Sequence, residues 1–157
     1  HSDPQVRHAV VFALTGHDDP RAIHGLIELS RDTDVEVRDW ATFALASQTD
    51  LDTPVLREAL AEWLTDLDHD TRGEAMVGLA KRKDARAIPA ICKELTSPNV
   101  AYQVFEAAQL IASSELLPEL LEWRDHYGSN DSQLADAIAA SSRSTDAEKP
   151  DVQPWKQ

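Results

Sequence analysis

The chain has 157 residues, 42% of them hydrophobic and only 6% aromatic, with a formal net charge of -13 at pH 7. That length suits one domain with a continuous core, while the charge repels nucleic-acid phosphates and anionic membrane surfaces, so neither is an expected partner. The single cysteine, Cys92, excludes an internal disulfide framework, and no apolar run approaches the length of a membrane span; a cytoplasmic location is the expectation.

Helix-start signals recur along the chain. Asp3-Pro-Gln-Val-Arg7 opens a first helix with Val6, Ala9, Val10, Ala13 and Leu14 on one face. Asp19-Pro-Arg-Ala-Ile23 opens a second, followed by Leu26 and Ile27. Asp34-Val-Glu-Val-Arg38 opens a third, whose core face is read as Val37, Trp40, Ala41, Ala44 and Leu45. A helix over residues 53–65 carries Leu56, Leu60, Trp63 and Leu64, and Asp68-His-Asp-Thr-Arg72 opens the next with Ala75, Leu79 and Ala80. Then come Asp84-Ala-Arg-Ala-Ile88 with Ile91, Cys92 and Leu95, and a helix from Ser97, with Pro98 at its first position, bearing Val100, Val104, Ala107, Ala108 and Ile111. A helix from about Glu115 to His126 follows, through Leu117, Leu120 and Leu121, and a weaker start stands at Asp131.

These helices alternate as A and B members of hairpins. The B starts at Asp3, Asp34 and Asp68 lie about 31 and 34 residues apart, and the A anchors Ile23, Leu56, Ile88 and Leu117 keep a similar period, which is the signature of stacked repeats. No single hairpin buries enough apolar surface to stand alone, so stacking is required. The expected fold is all-α, an α-solenoid of about four to five hairpins over residues 1–140. A flexible tail is expected at 141–157, where Pro150 and Pro154 exclude a helix interior. Because the chain begins at His1 inside a repeat, the array is expected to be part of a longer one.

Chemistry-bearing residues are sparse. Asp66, Asp68 and Asp70 alternate like the start of a calcium loop, but the required Gly and Glu are Thr71 and Val77, so helix capping is the better reading. His17-Asp18-Asp19 and the scattered histidines lack zinc-ligand spacing. Cys92 falls in an apolar stripe, as an inert thiol would. Lys81-Arg82-Lys83 reads as a helix C-terminal run that complements the helix dipole. No catalytic, cofactor or metal site is expected.

The pattern Asp-x-x-Val-Arg-x-x-Ala-x-x-Ala-Leu, followed by Asp-x-Arg-Ala-Ile-Pro, resembles HEAT repeats of the kind first grouped with phycobilisome lyases. The stretch from Val37 to Leu45 looks very like that of bacterial HEAT-repeat proteins, and the resemblance covers about residues 3 to 125. It implies a right-handed, armadillo-like superhelix in which Asp3, Asp34 and Asp68 with Arg7, Arg38 and Arg72 form a ladder between adjacent B helices. The ladder should stop after the third repeat, where Ser97 and Ala101 replace the motif residues. Some HEAT-like proteins are DNA glycosylases with a basic groove, which this acidity argues against. Others are bilin lyases, which makes a lyase-like or cofactor-chaperone subunit the alternative function.

The resemblance also implies that B helices line a concave face. Alignment then forms columns of His8, Asp39, Gly73 and Tyr102; of Val11, Thr42, Met76 and Phe105; and of Phe12, Phe43, Val77 and Glu106, flanked by Glu74 and Gln103. Packing between repeats would account for these columns. An acidic, aromatic-studded groove would account for them too, and it makes Asp39, Thr42, Phe43, Glu74, Tyr102, Phe105 and Glu106 the candidate partner-binding residues. The expected function is a non-enzymatic scaffold for a basic or neutral protein or peptide.

Overall fold

In the computed structural model, which describes residues 1–97, 100–128 and 131–147, helices begin where the sequence supplies a cap. Asp3, Asp19, Asp34, Thr53 and Asp68 each accept a first-turn backbone N–H. They precede α1 (Pro4–Leu14), α2 (Pro20–Leu29), α3 (Val35–Ser47), α4 (Pro54–Glu62) and α5 (His69–Lys81). Such a side-chain oxygen satisfies a donor the helix leaves free, and proline opens α1, α2 and α4, where no donor is needed. There follow α6 (Ala87–Leu95), α7 (Gln103–Ile111), α8 (Leu117–Tyr127) and α9 (Ser132–Ala147), with short 3-10 turns at Trp63–Thr65 and Ser114–Leu116.

Two boundaries differ from expectation. The fourth B helix starts at Gln103 and not at Ser97, with no side-chain cap. The Glu94 carboxylate of α6 accepts the Ala101 N–H at 3.4 Å and draws this segment inward before the helix begins. Pro98 and Asn99 lie outside the described residues. The last helix runs past the boundary expected at Ser141, and Ser142 Oγ donates to the Ile138 carbonyl within it. The remainder of the expected tail, 148–157, also lies outside the described residues.

The B helices α1, α3, α5, α7 and α9 pack on one another in chain order, and the A helices α2, α4, α6 and α8 lie behind them. The B helices touch extensively while the A helices barely meet, so the stack bends with the B layer inside. Small residues permit this approach. Ala41, Ala44, Ala46, Ala75, Ala80, Ala107 and Ala108 are all buried, and a Cβ on Gly78 would stand 2.9 Å from Ala46 Cα and 2.8 Å from Leu60 Cδ1. Leu26, Leu45, Leu56, Leu60, Leu79, Ile91 and Leu120 fill the space between the layers.

One expected core face and one expected core residue are open instead. On α1, Val6 and Val10 are 40% and 42% exposed and Ala9 and Ala13 are exposed too, because among the described residues no A helix lies against that side. Val11 is the buried residue of α1, and Leu14 packs against the core half-buried. Trp40 is 40% exposed and lies outside the stripe that Val37, Ala41, Ala44 and Leu45 do form.

Arginines tie the hairpins together, with partners other than those expected. Arg7 donates to Asp32 at 2.6 and 2.8 Å, Arg38 to Asp66 at 2.8 and 3.2 Å, and Arg72 to Glu94 at 3.3 and 3.4 Å. Each guanidinium also reaches back to its own preceding turn, at the His1, Asp32 and Asp66 carbonyls respectively. The motif residues Asp3, Asp34 and Asp68 are caps and form no rung. Asp32 and Asp66, two residues before the caps Asp34 and Asp68 and accepting their N–H groups, take the guanidinium instead. Among the described residues the rungs end with Arg72, since Ala101 takes the arginine position before the next B helix.

The basic run 81–83 is consumed by the same stack. Buried Arg82 donates to the carbonyls of Leu45, Ala46, Thr49, Leu51 and Gly78, closing the free end of α3 against α5. Lys81 pairs with Asp50 at 2.8 Å, and Lys83 reaches the Leu110 carbonyl.

Two substitutions test this packing by urea denaturation followed in the far-UV. Gly78→Ala should destabilise the chain by about 1–3 kcal/mol, because overpacking of α3 against α5 outweighs the gain in helix propensity. Arg38→Met should cost about 2–4 kcal/mol, since the Asp66 side chain, 7% exposed, would lose its cation.

Candidate protein-interaction face

Residues four apart on a helix share a face. His8 and Phe12 on α1, Asp39 and Phe43 on α3, and Asp70 and Glu74 on α5 are such pairs, and α7 adds Gln103 and Glu106. At the α1–α3 end these positions form an aromatic cluster. The His8 and Phe12 rings lie 4.8 Å apart, Phe12 and Trp40 5.2 Å, and Trp40 and Phe43 5.6 Å edge to face. Phe12 is 51% exposed, so these rings pack on one another and still present apolar surface.

The acidic part of the face runs from α3 to α7. Burial, reinforced by Asp70 and Asp68, pushes the Asp39 carboxyl up to about 6. Burial likewise pushes Glu74 up to about 7, against a hydrogen bond from Gln103 Nε2 at 3.1 Å and with repulsion from Asp39, Glu106 and Asp70. A carboxylate deprived of water and set among like charges holds its proton longer. The neighbouring cation, Arg38, is committed to Asp66. Asp39 Oδ1 and Gln103 Oε1 are buried without a hydrogen-bond partner, as is His8 Nε2. Gly73 makes room for Gln103, since a Cβ there would stand 2.8 Å from its Oε1.

The candidate residues therefore divide. Asp39, Phe43, Glu74 and Glu106 are half-buried on the face, and Tyr102 is exposed beside it, with its hydroxyl accepting from Gln133 Nε2 at 2.8 Å. Thr42 and Phe105 are buried and are removed from the candidate surface. With Val11 and Met76 they make the seam between successive B helices, where Thr42 Oγ1 donates to the Arg38 carbonyl. His8, Phe12, Trp40 and Gln103 are the members that the sequence reading left out of the candidate set. The register of Phe12 and His8 one turn apart was a usable signal, whereas Trp40 was masked by its place beside the core stripe.

Other chemistry-bearing groups have structural duties. The ligand atoms of Asp68, His69 and Asp70 lie within 4.8 Å of one another, but Asp68 already accepts both the N–H and the hydroxyl of Thr71. Asp19 caps α2, and Asp18 accepts the Thr49 hydroxyl at 2.5 Å. The half-buried Cys92 thiol is pushed up by burial and by Glu119 and Glu115, opposite to what a nucleophile requires.

Alternating hairpins, a packed B layer and a repeated arginine rung define a repeat family, and the family model described as HEAT repeats matches residues 1–66. The crystal structure of Escherichia coli YibA superposes with a TM-score of 0.76 and 32% identity, over 91% of this chain and 50% of that one. The chain is a HEAT-repeat protein. Protein YibA of E. coli K12 is 36% identical over 115 residues, covering 73% of this chain and 41% of the relative, and YibA of the O157:H7 strain matches to the same extent. This HEAT array thus spans half or less of the length of these relatives. No helix among its described residues is long and apolar enough to cross a membrane.

The raised carboxyls have a consequence for stability. Both groups titrate higher folded than unfolded, so the folded chain binds extra protons between about pH 4 and pH 7 and stability falls as pH rises through that window. Glu74→Gln should therefore be more stable than the parent chain by about 1–3 kcal/mol near pH 8, with the difference vanishing below about pH 4, as read by denaturation across a pH series.

Proposed function

We propose that this HEAT array is a non-enzymatic interaction module whose inner B-helix face holds a cationic, partly apolar segment of another protein. The observation that carries this reading is the adjacency of an exposed aromatic cluster to half-buried carboxylates that have no ion-pair partner among the described residues. Aromatic anchors supply most of the binding energy at such surfaces, and the net charge of -13 steers a basic partner toward them. Helix axes in contact stand about 8–10 Å apart, so the span from α1 to α7 is roughly 25–30 Å. An extended segment of about eight or nine residues bridges that distance. Its apolar side chains would rest on Phe12, Trp40 and Phe43 while its cations faced Asp39, Asp70, Glu74 and Glu106.

Selection from a displayed library of random peptides about twelve residues long, at physiological salt, tests this reading. The enriched sequences should combine basic with aromatic or aliphatic residues. Trp40→Ala and Asp39→Lys should each weaken the selected peptides about tenfold or more while shifting the melting temperature by only a few degrees, because both side chains face solvent in part. Enrichment of acidic or uncharged sequences, or undiminished binding by both variants, would remove the reading.

A further inference from the structure

Asp39 and Glu74 stand on adjacent helices, and neither has an ion-pair partner among the described residues. We propose that one guanidinium or ammonium head of the bound segment seats between Asp39 and Glu74, so that the face grips its partner more firmly as pH rises. The inference rests on the cationic-segment reading above and adds to it where the cation sits and how binding is regulated.

The surroundings leave the counter-charge to come from outside. On α3 itself, Arg38 turns to Asp66. From α1 the titratable group that faces the site is His8, with its ring 6.1 Å from that of Trp40. From α5 come Asp68, His69 and Asp70, with His69 Nδ1 3.7 Å from Asp70. From α7 come Glu106 and the neutral Gln103. The A helices lie behind the B layer, and their arginines are engaged there, Arg57 with Asp52 and Asp84 and Arg86 with Asp84 and Glu58.

The two carboxylates suit the same ligand. The Asp39 and Glu74 side chains are half-buried and so stay partly open on the face, and a guanidinium or ammonium offers several donors and no acceptor. The exposed indole of Trp40, next along α3 from Asp39, suits the stem of a long cationic side chain, which packs its methylenes while its charged head reaches a carboxylate. The exchange balances in charge: the cation arrives protonated, the carboxyls ionise against it, and their protons leave to the buffer. Each charge-assisted hydrogen bond formed exists only with the ionised carboxylate.

Isothermal titration of the whole chain with an end-capped nonapeptide of alternating arginine and leucine measures this. Titrations run at constant ionic strength from about pH 5.5 to about pH 8, in buffers of different ionisation enthalpy. Affinity should rise on the order of tenfold or more across that range, with buffer-dependent heats showing proton release. The Asp39→Asn, Glu74→Gln double variant removes two unpaired buried charges and should fold, bind more weakly near pH 8 and lose the pH slope. If the peptide binds without releasing protons, the proposal is overturned and the interaction face stands. Retention of the parent slope by the double variant would assign the protons to His8 or His69 and overturn it equally. If the peptide binds at no pH, the proposal and the cationic-segment reading both fall.

Discussion

Side chains no larger than a methyl group set the spacing of the B helices, and the architecture follows from that spacing. Ala41, Ala44, Ala75, Gly78, Ala107 and Ala108 let α3, α5 and α7 approach closely, whereas the leucines and isoleucines of the A helices hold the outer layer apart. One wall is therefore shorter than the other, and the stack turns toward the B side. The same closeness brings Asp39 and Glu74, on different helices, within reach of each other's charge and lets Trp40 touch Phe12 across the α1–α3 seam. Curvature and site share one cause.

Arg38 and Asp39 are consecutive, yet they serve opposite ends of this design. A helix turns by about 100° per residue, so the guanidinium is directed to the hairpin turn of the next repeat while the carboxylate is directed to the inner face. The arginine is satisfied twice over, by the Asp66 carboxylate and by the Asp32 carbonyl, and has nothing left for its neighbour. Asp32, Asp66 and Glu94 each meet a guanidinium, whereas Asp39 and Glu74 on the inner face have no ion-pair partner among the described residues. Burying a carboxylate without a cation is costly, and Asp39 and Glu74 meet that cost by drawing protons.

Much of the fold was legible because its signals are local. A cap, a proline at the first position and a helical stripe each act within one or two turns, and they located α1 to α6 and the hairpin period. What escaped depends on distant partners. Asp32 and Asp66 lie 25 and 28 residues from the arginines they bind, and the resemblance implied rungs from the motif aspartates, which serve as caps alone. The start of α7 escaped for a similar reason, since it is set by Glu94 in the preceding helix.

The interaction face was only half legible. A B helix is covered on three sides, by the A layer and by a B neighbour on each flank, so a single narrow strip remains free. Periodicity identifies a face but not which of several apolar strips is covered when alanine can fill them all. Thr42 and Phe105 were thus assigned to the surface, and Trp40 to the interior, by an error of one position around the helix.

The substitution of Ala101 at the arginine position grades the stiffness of the array. Up to α7, each hairpin is locked to the next by a guanidinium that spans two turns; beyond it, α9 joins α7 through apolar contacts and the Tyr102–Gln133 hydrogen bond. Segments held by fewer cross-links open at lower free energy. A partner lying along the face would meet a rigid aromatic shelf at one end and a compliant hairpin at the other, and would tighten the latter as it settled.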